Sequence, residues 1–541
     1  MNKIKDFFAA GYDSTRQYFV NNLKFVSLIS IPAIIYTVYL LSKMIGHTFT
    51  DVNIPNEYRE AANVLLTSEF LKGNNIYSIE ALNSDLPPMI YLYGPLYSLV
   101  TAFFGIFVKT DIVLLHYFVT FACIVGSAFL AAALVKKHSR SMAAPVLAFL
   151  FTINCHWRYS YVNAVPDSMG LFIMILIFYL LSKEKLKHKA IITAVLTVFI
   201  FFTKQYFLLV AGTATAYLFL FESKKDSFKY LGTMAVTVGA LAAFIQWKCP
   251  LFWTYMIFLA KGPGKGVSGT VTRGSVKISG EAYNFSQIMS IGGMFFFFFL
   301  AATVLVLYCI FKKKLQKIDF LLFGHMAVAG ICLLYIGKND GAWLSYYLEL
   351  FVPALIMEAL ILMERFIPEK VRSVRYAAFV AFYLLMFAFT TFRTDQRLPA
   401  SQMTNEDYEA WDTAVSIMDS NPGDMYLYPL LAYYGMKHDI YVYNSGQPFV
   451  VTQKFYDRYL KSESSQKNFP YAGDVFSSHL DYRDEIKEKV RNGEYSIVSY
   501  IKDYDEVFDE TDLSLKYEKI NSLTLRAGRW TWDVDFYGLK K

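Results

Sequence analysis

Apolar runs long enough to cross a bilayer, about 17–25 residues each, recur along this chain to about residue 393 and then stop. Runs of that length can satisfy their backbone groups in hydrocarbon only by coiling into helices. The chain therefore divides into a membrane part, residues 1–397, and a polar part, residues 398–541. Composition agrees: of 541 residues, 55% are hydrophobic and only 18% charged, where a soluble domain carries about 25% charged residues. An ordinary cytosolic enzyme, a disordered chain and a collagen are excluded.

The charges say how the runs are threaded. Short clusters rich in Lys and Arg fall at Lys3 to Lys24, Lys136 to Arg140, Lys183 to Lys189, Lys224 to Lys229, Lys312 to Lys317 and Arg365 to Arg375. Under the positive-inside rule all six belong on the cytoplasmic side. Two cytoplasmic clusters must be joined by an even number of crossings, yet three apolar runs separate the first two clusters. The middle one follows Pro87-Pro88 and carries Gly94-Pro95 among its tyrosines, so it is expected to be an interfacial helix on the outer leaflet. About eleven spans remain, with the N-terminus inside and the C-terminus outside. The first, ending near Ile45, lacks a small-residue cleavage site and reads as a retained span.

The whole-chain net charge of +7 hides two parts. Residues 398–541 hold 16 basic and 24 acidic residues, net −8, which leaves +15 on residues 1–397. Most of that excess is the topology signal, so nucleic acid is not an expected partner. Cys123, Cys155, Cys249, Cys309 and Cys332 show no metal-ligand or disulfide spacing.

The outward segments are the places to look for chemistry: about 46–111, 153–167, the turn near 204, 249–287, 337–345 and the tail. In the first, Glu57 and Glu60 would share one face of a short helix beginning after Pro55-Asn56; acidic residues also sit there simply because they favour helix N-termini. In the second, Asn154-Cys-His156-Trp157-Arg158 precedes Pro166-Asp167 at the start of a span. As a helix cap Asp167 would be worth about 1 kcal/mol. Residues 190–221 lie between two inside clusters and form a hairpin with only about 16 residues per arm, so the turn Thr203-Lys204-Gln205 is expected to line a cavity below the outer surface. An unpaired Lys at that depth usually faces polar space, unless it snorkels to the interface. The loop 249–287 carries Lys261, Lys265, Arg273 and Lys277 among glycines, a composition suited to closing over an anionic headgroup or to lying on lipid phosphates. The tail alternates apolar and polar residues in Asp424 to Tyr428 and Ile440 to Tyr443, then turns helix-like at Lys454 to Leu460, and is expected to be a small α/β or α+β domain.

Taken in order, these weak motifs resemble the GT-C superfamily, multispan glycosyltransferases that use polyprenyl-phosphate-linked sugars, including protein mannosyltransferase-like and aminoarabinose-transferase-like members. Glu57 matches the first-loop catalytic acid, where relatives commonly have Asp, with Glu60 beside it, and Asp167 matches the second-loop acid. Leu71 to Tyr77 and Tyr91 to Tyr97 are similar to the two juxtamembrane elements. Phe202-Thr-Lys204-Gln205-Tyr resembles the Lys-containing hairpin. Gly341-Ala-Trp-Leu-Ser-Tyr346-Tyr347-Leu-Glu349 resembles a Gly-Ala…Asn-Tyr…Glu segment, with Tyr346 where Asn is usual.

The resemblance implies a polytopic α-helical GT-C-like domain of about eleven spans, with interfacial helices in the first outer loop and an extracytoplasmic tail domain. It implies transfer of a sugar from a polyprenyl-phosphate donor to a wall polymer, lipid-linked glycan or protein outside the cytoplasm. Inverting transfer needs a carboxylate to take the acceptor's proton and cations to steady the departing phosphate. Glu57 is the expected base, with Asp167 and Glu60 as the other catalytic carboxylates. Lys204, Arg158, Lys261, Lys265 and Arg273 are the expected phosphate contacts. Tyr91, Tyr93, His156, Gln205, Tyr346, Tyr347 and Glu349 are expected to line the substrate pocket. His156, Glu57, Asp167 and Asp340 would offer ligands for Mg2+ or Mn2+, without the tight spacing that marks a metal site. A lipid-linked glycan transporter and a non-enzymatic membrane scaffold are the rival readings; a transporter often repeats one half in the other, and no such repeat is seen here.

Overall fold

The computed structural model describes residues 29–50, 58–83, 91, 93–160, 163–259, 270–273, 276–339, 343–368, 374–397, 403–428, 431, 434–435, 438, 449–501, 507–527 and 530–540. Glu57, Lys261, Lys265 and Asp340 lie outside these residues, and the side chains of Arg158 and Arg273 are outside them as well.

The first part is a helical bundle of a membrane protein. Among the described residues, five helices are both long and apolar enough to cross a membrane: Ile112–His138, Gln205–Glu222, Lys224–Lys248, Lys317–Ile336 and Val374–Gln396. Two bent pairs, Gly280–Met294 with Phe296–Phe311 and Leu344–Leu350 with Val352–Phe366, turn through 83° and 42° and raise the count to seven if each is one span. Shorter apolar helices Ile31–Gly46, Ala143–His156, Asp167–Leu181 and Lys189–Phe201 stand where the sequence places the other crossings. The count of eleven remains a proposal.

The run with Gly94-Pro95 behaves differently from its neighbours. Its helix, Leu96–Phe107, starts after the proline and extends about 18 Å at 1.5 Å per residue, too short for a hydrocarbon core of about 30 Å. Leu99, Phe103, Ile106 and Phe107 are exposed on it. Ahead of it, the helix Tyr58–Lys72 buries Ala61, Ala62, Val64 and Leu66. Glu60, expected to be solvated if it served only as a helix-start charge, is instead 2% exposed.

The loop at 249–287 carries regular structure at both ends. A π-helical turn, Thr254–Phe258, follows Leu251, and strands β1, Thr270–Arg273, and β2, Val276–Ser279, form an antiparallel hairpin. Ser279 then caps the helix Gly280–Met294 through the Ala282 N–H.

The tail is an α+β domain around one mixed sheet. Its strands are β3, Met425–Tyr426, β4, Ile497–Tyr500, β5, Tyr517–Ala527, and β6, Trp530–Leu539, in the order β3-β4-β6-β5. β3 runs parallel to β4, the other pairs are antiparallel, and a bulge interrupts β5 between Lys519 and Asn521. Helices Asn405–Asp419, Phe449–Leu460 and Ala472–Asn492 flank the sheet. The first opens with a capping box between Thr404 and Asp407, and Trp411 on it donates to the Arg526 carbonyl at 2.7 Å.

One apolar core joins the two parts. It contains Ala61, Leu65 and Tyr77 of residues 58–83, Leu251 to Leu259 at the root of the long loop, and Trp411, Phe455 and Phe476 of the tail. Phe258 packs against Phe455, Tyr459, Phe469 and Phe476, ring centroids 5.2–6.1 Å apart.

Candidate functional site

The helix Lys189–Phe201 spans about 20 Å by its rise, so its C-terminal end stops well short of a full crossing. The chain breaks there: Lys204 has extended backbone and caps a short 3-10 turn, Gln205–Leu209. Two glycines let this turn approach its neighbours. A Cβ at Gly94 would come 1.9 Å from the Phe202 carbonyl oxygen, and one at Gly170 would come 2.2 Å from the Phe207 ring. Gly94 N–H donates to the Thr203 carbonyl at 3.2 Å and Leu96 N–H to the Phe202 carbonyl at 3.0 Å. The segment before Leu96 is thus hydrogen-bonded to the turn that carries Lys204, and the Asp167–Leu181 helix packs on its other side.

At this junction Lys204 Nζ lies 2.5 Å from Asp167 Oδ1. Both residues are buried, at 7% and 6% exposure. Pro166 holds the cap position of the Asp167 helix, so Asp167 is the first helical residue rather than its cap. Its charge is favoured by the helix N-terminus and is paired with the lysine. Lys204 does not snorkel. Its ammonium lies 5.1–5.5 Å from the ring centroids of Tyr93, Tyr206 and Tyr346, an aromatic cage that favours the charged amine.

Glu349 completes the group. It is the penultimate residue of the Leu344–Leu350 segment, just before a bend of 42°, with Pro353 opening the next helix. Tyr206 donates its hydroxyl to Glu349 Oε2, and Asp167 and Lys204 both lie within electrostatic reach of the Glu349 carboxylate. Broken helices persist in membranes where they are buried in protein or line a cavity. Two carboxylates and one ammonium therefore share a buried polar site bounded by three tyrosines. Such a site can exchange its internal ion pair for an anionic ligand or accept a proton from a bound hydroxyl.

Of the expected site residues, Asp167, Lys204, Tyr93, Tyr346 and Glu349 come together here, and His156 is within electrostatic reach of Asp167. Tyr91 is one layer away, edge-on to Tyr93 at 6.1 Å and bonded to Asn63. Gln205 reaches the Met256 carbonyl at 3.5 Å, tying the turn to the root of the long loop. Tyr347 faces elsewhere, donating to Asn284. Tyr206 is the partner that sequence reasoning passed over; its place two residues after Lys204 was the available signal.

Among the described residues no group of three or more His, Cys, Asp or Glu side chains comes together, and Asp167 Oδ1 holds an ammonium at 2.5 Å. All five cysteines are free.

No family model matches the chain, and no curated protein matches it by sequence. Solved structures do. ArnT from Cupriavidus metallidurans in the apo state aligns at a TM-score of 0.52 with 10% identity, over 94% of this chain and 98% of that one. The two share one fold. The Archaeoglobus fulgidus oligosaccharyltransferase in the apo form aligns at 0.50 with 10% identity, over 90% of this chain and 73% of that one. The likeness in fold thus extends through the tail domain as well as the bundle.

Proposed function

We propose that the chain is a membrane glycosyltransferase that moves a sugar from a polyprenyl-phosphate donor to an acceptor outside the cytoplasm. The observation that carries this reading is the buried Asp167–Lys204 pair with Glu349 inside its cage of three tyrosines, at the break of a short hairpin in a GT-C fold. ArnT has also been solved bound to undecaprenyl phosphate, and the archaeal oligosaccharyltransferase with a dolichol-phosphate and an inhibitory peptide. Those ligands support a lipid-phosphate donor here.

On this reading Lys204 binds the donor phosphate and steadies the charge that grows on it as the glycosidic bond breaks. Asp167, relieved of part of its partner, holds and orients the acceptor hydroxyl, and Glu57 removes its proton. Glu60 supports that carboxylate. Arg158, Lys261, Lys265 and Arg273 supply further positive charge to the phosphate. The basic clusters face the cytoplasm, the tail lies outside, and residue 398 begins the tail domain.

Equilibrium binding of polyprenyl phosphate tests the donor site. Lys204→Ala is expected to weaken binding at least tenfold, as loss of a charged hydrogen bond of about 1.5–3 kcal/mol implies; unchanged affinity would remove Lys204 from the phosphate. Glu57→Gln is expected to abolish transfer in a protein that still folds, and undiminished transfer would remove Glu57 as the base.

A further inference from the structure

His156 is 3% exposed, yet neither Nδ1 nor Nε2 has a hydrogen-bond partner among the described residues. A buried polar group left this way costs about 1–3 kcal/mol, and an imidazole carries two such groups. Native folds rarely keep that cost without a bound group to relieve it. The histidine is not an isolated defect. Ser168 Oγ, next to Asp167 in the chain, and Glu349 Oε1 are also buried without a partner among the described residues. Asp167 is within electrostatic reach of both His156 and Glu349. Two of these groups, His156 and Glu349, carried by different helices, thus lie within electrostatic reach of one carboxylate, with Ser168 as its chain neighbour.

Their chemistry narrows the ligand. A neutral imidazole offers one donor and one acceptor, a serine hydroxyl offers both, and the free carboxylate oxygen accepts. An anion would find no positive charge among the three. A planar apolar group would leave them unsatisfied. A ligand with neighbouring hydroxyls, each able to donate and accept, would satisfy all of them.

We infer that His156, Ser168 and Glu349 form a hydroxyl-binding subsite that takes a sugar ring beside the Asp167–Lys204 pair, with His156 as its specificity-determining contact. The inference rests on the transferase reading and deepens it by separating a phosphate end of the site, at Lys204, from a sugar end, at His156. The hydroxyls would belong to the donor's sugar or to the acceptor.

Binding of two kinds of lipid separates these sources. Bare polyprenyl phosphate and polyprenyl phosphates loaded with glucose, mannose or galactose are titrated into the wild-type protein, His156→Phe and His156→Gln. Thermal unfolding shows that each variant is folded, and transfer rate is measured against acceptor concentration. The expected result for phenylalanine is about tenfold weaker binding of a loaded lipid, from the loss of one to two hydrogen bonds, with bare lipid phosphate bound as before. Glutamine, which keeps a donor and an acceptor, recovers part of the loss. Unchanged binding of every lipid with a raised KM for the acceptor places the hydroxyls on the acceptor and also supports the subsite. Equal weakening of bare and loaded lipid, or no change in binding or KM, would overturn the inference and leave buried water as the partner of His156. A wild-type protein that binds none of the lipids would sink the transferase reading and this inference together, whereas bare-lipid binding that depends on Lys204 but not on His156 would leave the transferase reading standing.

Discussion

At the scale of the residue, the site is set by close approach as much as by charge. Lys204 reaches Asp167 because glycine at 94 and at 170 leaves room for the turn between them. Gly94→Ala would force the Phe202 backbone away and pull Tyr93 from the ammonium. The expected result is a loss of activity with the charged residues all present, read as weaker donor binding in a folded protein; full activity would mean that the turn tolerates the shift. Removing one partner of the buried pair is costlier, since Lys204→Ala leaves Asp167 buried without its cation, a change worth about 3–5 kcal/mol of stability. A double change, Asp167→Asn with Lys204→Met, should restore much of that stability without activity, and thermal unfolding of the two proteins compares them. The residues of this site were visible in the sequence as an ordered set, because Asp167 follows Pro166 at a span start and Lys204 interrupts a run too short to cross. Which of them touch was not visible. Tyr346 joins the cage and Tyr347 leaves it for Asn284 because neighbouring residues on a helix point about 100° apart, a choice that depends on packing from distant segments.

At the scale of the element, two features are decided by length and by burial. The first arm of the hairpin, Lys189–Phe201, is too short to cross fully, and the cationic turn it leaves inside the bundle is what the sequence count implies. The tail offers a contrast. Its helix over 454–460 could be read from residue types, but the parallel pairing of β3 with β4 joins segments about 70 residues apart and has no local signal. Buried in the helix Ala472–Asn492, His479 is held neutral by burial and by the nearby Arg483 charge, its pKa lowered to about 3. The unfolded value is near 6.5, so the unfolded chain binds more protons below that pH. The stability this histidine contributes is therefore complete above about pH 6.5 and is lost as pH falls toward 3. The unfolding temperature of the tail should decline over that window, and His479→Gln should flatten the decline; an equal pH dependence in the variant would assign it to other groups.

At the scale of the whole molecule, the tail and the bundle share one apolar core through Phe258 and the aromatic residues around it. Phe258→Ala should cost about 3–5 kcal/mol of that packing and loosen the root of the long basic loop, seen as faster proteolysis at Lys261 and Lys265. Orientation is open to a direct check. A cysteine at the exposed Ser464 should react with an impermeant maleimide on intact cells, above the labelling of the native cysteines, and one at Lys314 should react only after permeabilisation; the reverse pattern would invert the topology. Purified protein incubated with a radiolabelled polyprenyl-phosphate sugar and an extracytoplasmic acceptor fraction should release polyprenyl phosphate and move label to the acceptor, and the Glu57→Gln protein should do neither. Donor lipid that is bound or moved across a bilayer but recovered intact, with no label on any acceptor, would contradict the account and favour a transporter.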